Sequence, residues 1–292
     1  MSIGEPRPYD RERDLPRIVR LMSEAHALRG DYLHPGGMQW WFRRAAKPDF
    51  RVLVWEDGGD VAAWLMDDAG YVIVRPARDD LAARVALAAW AERDFRSAGR
   101  SSIEISAGDD EPALIDALLG RGYARAESSG DLLAFDIDGL PPPPELPEGF
   151  RLTTLADVTD DEYIALHRAA WSTVKPSDYS RELHDLVTSS PDFRRDTVPI
   201  VVAPGGVLAA YCIAWLDRGS LQIEIEPLGT HPDYRQRGLG RAIVREVHRL
   251  AREQGARSVM VWSSHNNELA RRLYASAGMT PRRTVREYRR AL

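Results

Sequence analysis

The sequence predicts an α/β protein made of two related units in tandem. Three observations lead there: a proline-rich break near the middle of the chain, segments that recur in the same order on both sides of it, and β-rich runs alternating with amphipathic stretches of helical period. The break is "DGLPPPPELPEG", Asp138 to Gly149. Four consecutive prolines favour extended polyproline II and can neither continue a helix nor pair within a central strand. It separates residues 1–137 from residues 150–292, and 292 residues suit two domains of roughly 100–200 residues each.

The recurrences are specific. "KPDFRVLVWEDGGDVAAWLM", from Lys47, echoes "SPDFRRDTVPIVVAPGGVLAAYCIAW", from Ser190. Each has a Pro-Asp-Phe-Arg entry, a β-rich run, a Gly-Gly turn and a second strand containing Ala-Ala. Later in each half "IDALLGRGY" matches "RRLYASAGM" when Gly122 is set against Gly278. Several shared pieces in one order point to duplication of a whole domain.

Composition narrows the function classes. A content of 44% hydrophobic and 28% charged residues is that of a soluble globular protein. A net charge of -5 argues against nucleic acid as a partner, because phosphate backbones demand a broad basic surface. No apolar run approaches the ~20 residues of a membrane span, and "MSIGEPRPYDRERD" lacks the apolar core of a signal peptide. The single cysteine, Cys212, excludes an intrachain disulfide and a CxxC metal site. The expectation is a cytoplasmic monomer with a pseudo-dimeric pair of domains and no metal, membrane or nucleic-acid partner.

In the second half, Asp160 to Trp171 has helical period, with Asp160 as its cap. "VPIVVAPGGVLAAYCIAWLD" reads as a hairpin about Gly205-Gly206, and "LQIEIEPLGT" as the next strand. A helix follows whose Leu239, Ile243, Val247 and Leu250 share one face and which stops at Gly255. "SVMVW" is a short buried strand, "NNELARRLYASAG" a helix ending at Gly278, and "REYRRAL" can close the sheet.

Between strand and helix lies "RQRGLGRAIV", Arg235 to Val244. Glycines there let the backbone approach a ligand, and the free N–H groups of a first helical turn attract anions, so the stretch reads as a phosphate cradle. It is not a P-loop, because Arg241 and Ala242 stand where lysine and Ser/Thr belong. As a dinucleotide fingerprint it lacks the third glycine.

Arg235-Gln236-Arg237-Gly238-Leu239-Gly240 resembles the Q/R-x-x-G-x-G/A signature of the GNAT superfamily of acetyl-CoA-dependent N-acetyltransferases. "NNELARRLYASAGM" resembles a later element of the same family at Asn267, Ala270, Leu273, Tyr274, Gly278 and Met279. The likeness covers residues 150–292 well and reaches residues 1–137 weakly, through the repeat. It implies two tandem GNAT-like domains, each a mixed, mostly antiparallel sheet flanked by helices, in a mycothiol-synthase-like arrangement. It also implies acetyl-CoA as co-substrate. Pyrophosphate would lie over Arg235 to Arg241, and the pantetheine arm along Leu228, Gly229 and Thr230. Asn267 and Tyr274 would complete the cofactor site, with Tyr274 as the acid that protonates the departing thiolate.

Strand period places Gln222, Glu224, Glu226 and Leu228 on one face, with Ile223 and Ile225 turned to the core, unless a bulge at Pro227 intervenes. Two carboxylates on one face raise each other's pKa and make a better base. By its position relative to Arg235, Glu224 resembles the family's general base; Glu226 is the second choice. His231 fits turn structure, and His167 with Trp171 suits either an acceptor pocket or core packing.

The first half departs from the pattern. "ARDDLAARVALAAWAE" has no glycine pair, Asp79 and Asp80 stand where phosphates would sit, and Leu118 takes the place of Tyr274. That unit is expected to keep the fold without binding CoA. The implied activity is acetyl transfer to a primary amine of a small molecule or peptide by direct attack; from another class, a non-catalytic acyl-CoA-binding or sensing protein would share the fold. The acceptor would meet "STVKPSDYSRELHDLVTSSPDFRRD" and "HPGGMQWWFRR", neither of which encodes a recognisable ligand.

Overall fold

A computed structural model describes residues 4–29, 33–45, 47–77, 80–173 and 176–292. Asp79 lies outside them. The first half runs β1 (Arg7–Pro8), α1 (Arg11–Arg29), α2 (Pro35–Phe42), β2 (Phe50–Asp57), β3 (Asp60–Asp68), β4 (Tyr71–Pro76), α3 (Leu81–Ser97), β5 (Ser102–Gly108), α4 (Pro112–Gly120) and β6 (Ala124–Asp136). The second half repeats that order as β7 (Arg151–Thr154), α5 (Asp160–Trp171), α6 (Arg181–Thr188), β8 (Pro199–Val202), β9 (Leu208–Asp217), β10 (Gln222–Thr230), α7 (Leu239–Glu253), β11 (Ser258–Ser264), α8 (Glu268–Ser276) and β12 (Thr280–Ala291). Gly122 and Gly278 both adopt positive φ, 87° and 93°, two residues past the ends of α4 and α8. The alignment of the two halves through them is therefore structural.

The strands form one 12-stranded sheet in the order β1-β2-β3-β4-β5-β12-β6-β11-β10-β9-β8-β7. Only β4 with β5 and β10 with β11 pair in parallel. The halves exchange their last strands. β12 closes a sheet, but it lies antiparallel between β5 and β6 of the first half, while β6 pairs with β11 of the second. Two long strands thus hide each other's edges, which would otherwise expose unpaired backbone groups.

Each half buries one core on either face of its sheet. In the second, Leu239, Ile243, Val244 and Val247 of α7 pack on Ile223, Ile225 and Val259; Tyr163 and Leu166 of α5 pack on Tyr211 and Trp215 across the other face. In the first, Leu87, Ala91 and Phe95 of α3 pack on Ile103 and Ile105, with Leu118 among them. The helix α5 begins at Asp160, but its cap is Thr159, whose hydroxyl accepts from the Glu162 N–H while Glu162 reaches back to the Thr159 N–H. Asp160 instead pairs with Arg181 and Arg195. No helix among the described residues is long and apolar enough to cross a membrane.

Candidate active site

The strand β10 sets the site. Its Ile223 and Ile225 enter the core, as alternation requires, and Glu224 faces the other way. The register with β9 shifts between Ile225 and Leu228, where three steps on β10 span two on β9, so a bulge does fall at Glu226-Pro227. The carbonyl it frees, that of Glu226, accepts from the Trp215 indole N–H at 2.6 Å. Despite the bulge, Glu224, Glu226 and Leu228 all line one cavity of about 540 Å³, and Tyr274, Asn267 and Trp171 line it with them.

Beyond Glu224 the strands part. β10 pairs with β11 only from Gln222 to Glu224, whereas β11 continues to Ser264 against β6. The edge of β10 that carries Leu228, Gly229 and Thr230 toward β11 is left open, and an extended chain can pair with it. Gly229 must be glycine for another reason: a Cβ there would stand 2.6 Å from Tyr211 and 2.9 Å from Ala170.

The glycine loop sits at the start of α7. Gly238 caps that helix at φ 78°, without a side-chain cap, so the N–H groups of the first turn stay available to an anion. Gly240, in that first turn, also carries a packing constraint. A Cβ there would press to 3.1 Å on Leu273, so this glycine brings α7 close to α8, the helix that carries Tyr274. The arginines are largely occupied. Arg235 donates to the Ala170 and Thr230 carbonyls and to the Thr173 hydroxyl; Arg237 lies over the Tyr234 ring and reaches the Asp233 carbonyl; Arg241 pairs with Glu145 of the proline-rich segment. The loop offers backbone N–H groups, with these guanidinium groups around them.

The first half supplies a wall that sequence reasoning placed only loosely. The start of α2 points at Glu224: the Gly37 N–H donates to its Oε2 at 2.7 Å, and the His34 Nδ1 lies 3.5 Å from the same oxygen. A Cβ on Gly37 would fall 2.3 Å from that oxygen, and one on Gly36 only 2.0 Å from Trp215. The signal for this contact is the Gly-Gly pair before "MQWW", which marks close approach of a backbone.

Burial governs the titration of the site. Desolvation, then repulsion by Glu226, holds the Glu224 carboxyl well above its ordinary range, although the Gly37 N–H opposes the rise. Burial pushes Glu226 up to about 7 against the attraction of Arg43. Tyr274 is raised by burial, then by Cys212 and Glu226, so its hydroxyl stays protonated. His34 is driven down to about 3, chiefly by burial, and is neutral.

Of the other candidates, His167 and His231 lie off the cavity, while Trp171 and Asn267 line it. His167 stacks on Tyr179 at 3.9 Å, in the core and not in the pocket; Trp171 does line the cavity and donates its indole N–H to Tyr211. His231 accepts from the Asp233 N–H as a turn cap. Asn267 caps α8 through the Ala270 N–H. At the corresponding place in the first half a cavity of about 290 Å³ is lined by Leu81, Arg84, Asp110 and Glu111. Asp80 caps α3 through the Ala82 N–H, Glu111 pairs with Arg84 and accepts from the Gly108 N–H, and Leu118 is core.

Residues 161–279 match the family model described as Acetyltransferase (GNAT) family. A mycothiol acetyltransferase of Thermobispora bispora is 30% identical over 62% of this chain and 63% of its own length. One of Beutenbergia cavernae is 31% identical over 56% and 54%. The chain thus spans less than two thirds of the curated relatives it matches. Among solved structures, a tandem GNAT protein from the clavulanic acid biosynthesis pathway covers 98% of this chain and 97% of its own at a TM-score of 0.64 and 19% identity, a likeness of fold. The family match thus gives residues 161–279 a GNAT-family domain, and the first half repeats the element order of the second.

Proposed function

We propose that the protein is an acetyl-CoA-dependent N-acetyltransferase acting on a primary amine of a small molecule. In this proposal residues 150–292 form the catalytic unit, residues 1–137 a degenerate unit that holds no CoA, and residues 138–149 the link between them. The observation that carries it is the opening between β10 and β11, which runs from the uncapped start of α7 to a cavity holding Glu224, Glu226 and Tyr274. The family match and the names of the relatives support acetyl transfer and leave the acceptor open.

The residues present suit acetyl-CoA. N–H groups from Leu239 to Arg241 would take the pyrophosphate, with Gln236 and Arg237 lying beside it, and the open edge at Leu228, Gly229 and Thr230 would take the pantetheine arm. Asn267, as the cap of α8, fixes the helix that brings Tyr274 to the thiol. When bound, acetyl-CoA supplies an activated acyl carbon and a thiolate leaving group. Glu224 accepts a proton from the incoming ammonium, with Glu226 as the neighbouring carboxylate. The neutral amine nitrogen forms the new C–N bond and the C–S bond breaks. Tyr274 donates its proton to the sulfur and regains one from the amine product through solvent.

The test is release of free thiol from acetyl-CoA over a panel of primary amines, with wild type and Tyr274→Phe. Acceptor-dependent release that falls ~10²–10⁴-fold in the variant is the expected result. Binding of acetyl-CoA with no release for any amine would instead fit a binding protein.

A further inference from the structure

Away from the carboxylate pair, Ser129, His265 and Asp131 form a linked series of hydrogen bonds at the cavity wall. The His265 Nδ1 lies 2.7 Å from the Ser129 Oγ, and its Nε2 lies 2.9 Å from the Asp131 Oδ1. The three come from both halves. Ser129 and Asp131 stand two apart on one face of β6, and His265 follows β11, which pairs with β6 as far as Ser264 opposite Gly130. The His265 backbone N–H donates to the Ser129 carbonyl at 2.9 Å and fixes the main chain beneath the ring. Strand exchange assembles the series.

Its polarity follows from the buried end. Asp131 is 5% exposed and accepts from the Thr284 hydroxyl at 2.9 Å and from Arg271 at 3.1 Å. Burial works to raise its carboxyl, but the hydrogen bonds from His265 and Thr284, with the charge of Arg271, outweigh burial and hold it below its ordinary range. An ionised carboxylate only accepts, so in the neutral imidazole the proton sits on Nε2 and Nδ1 offers a lone pair. The Ser129 hydroxyl then donates to Nδ1, and Ser129 lines the cavity. A hydroxyl whose proton is held by an imidazole, itself oriented by a buried carboxylate, is an activated nucleophile whatever the order of the three in sequence.

Donors for a developing oxyanion stand alongside. Ser263 is opposite Asp131 across β11 and β6, which makes it the diagonal neighbour of Ser129 on the same sheet face, roughly 7 Å away. Its hydroxyl is buried, has no hydrogen-bond partner among the described residues, and belongs to a residue that lines the cavity. Asn267 also lines it and spends its Oδ1 on the Ala270 N–H, which leaves the amide N–H groups to donate. The helix α8, tied to Asp131 by Arg271, lays Ala270 and Leu273 along the same cavity, where they suit a short apolar acyl chain.

We propose that Ser129, His265 and Asp131 hydrolyse short-chain acyl esters, a second activity of the cavity that does not rest on acetyl transfer to an amine. The Ser129 Oγ forms a bond to the acyl carbon while its proton passes to the His265 Nδ1. The ester C–O bond breaks, and the leaving oxygen takes that proton and departs as an alcohol. Water then attacks the acyl carbon and gives one proton to His265. The bond to Ser129 breaks, its oxygen takes that proton, and the carboxylic acid leaves. Asp131 is a positioning residue that keeps the imidazole in one tautomer and faces the charge it gains.

The experiment treats the full chain with diisopropyl fluorophosphate, maps the modified residue by mass spectrometry, and follows p-nitrophenol release from p-nitrophenyl acetate and butyrate. One label per chain is expected, on the Ser129 oxygen with fluoride lost. Ser129→Ala removes a single oxygen and should keep the wild-type circular dichroism while losing both label and hydrolysis. His265→Gln should slow hydrolysis ~10²–10⁴-fold. Asp131→Asn should slow it through kcat with KM held, and Asp131→Glu should restore part of the loss. No label, a label on another residue, or hydrolysis unchanged in folded Ser129→Ala each overturns the proposal. A label on Ser129 in a chain that transfers acetyl to no amine would uphold the hydrolytic site and remove acetyl transfer alone.

Discussion

Gly37 of the first half donates its backbone N–H to the Glu224 carboxylate of the second at 2.7 Å, and no other residue fits between them. The helix α2 thus aims its positive end at the group proposed as base, across the boundary between the duplicated units. A Cβ on residue 37 would fall 2.3 Å from Glu224 Oε2. Gly37→Ala must therefore push either the carboxylate or α2 aside. Turnover should fall at least tenfold with acetyl-CoA affinity little changed, since the cradle at α7 is untouched. Because the hydrogen bond that the displaced carboxylate loses opposed the rise in the Glu224 pKa, the acid limb of the pH–rate profile should also move to higher pH. An unshifted limb and wild-type kcat would show that Gly37 does not position the base.

The two carboxylates should reveal their coupling in the same kind of profile. Glu226 titrates at about 7, and its charge raises Glu224 further. The basic forms therefore prevail only as pH rises, and wild-type activity should fall as pH is lowered. Removing the neighbouring charge in Glu226→Gln should carry the acid limb to lower pH. Stability moves in the opposite sense. A carboxyl with a folded pKa above its unfolded one favours the folded state below the unfolded pKa, and this advantage is lost as pH rises through the folded value. Glu226→Gln should thus raise Tm at pH 8 more than at pH 5. A larger gain at pH 5 would contradict the burial assigned to Glu226.

Much of this was legible in the chain. The Gly-Gly turns, the Pro-Asp-Phe-Arg entries and the Gly122/Gly278 match announced the repeat, because turn glycines sit where φ must be positive. The alternation of Ile223 and Ile225 with Glu224 placed the acids, and the bulge at Pro227 did not displace them from the cavity. What the sequence could not show is long-range pairing. β6 and β12 look like the final strands of their own units, and nothing local in "REYRRAL" tells which edge it will join. For the same reason Ser129 and Gly37 read as unremarkable until the sheet set them beside residues of the other half. Gly240 read as a phosphate contact, and its packing against Leu273 was not legible, since motif spacing does not tell what fills the space above a Cα.

Strand exchange makes the two halves depend on each other more than the proline-rich segment suggests. Separated, the second half would lose one of the two partners of β11 and both partners of β12. A protease site inserted within Pro141–Pro144 should give two fragments that co-elute after cleavage and keep their activity, because the sheet and not the linker holds them. Fragments that separate in native buffer would contradict the pairing of β12 with β5 and β6.

A crystal structure grown with acetyl-CoA tests the central claim most directly. One molecule per chain is expected, with its pyrophosphate on the backbone from Leu239 to Arg241, its pantetheine arm along Leu228 to Thr230, and its acetyl carbon between Glu224 and Tyr274. A second molecule at the start of α3, or a thioester lying outside the cavity that α2 covers, would contradict the account.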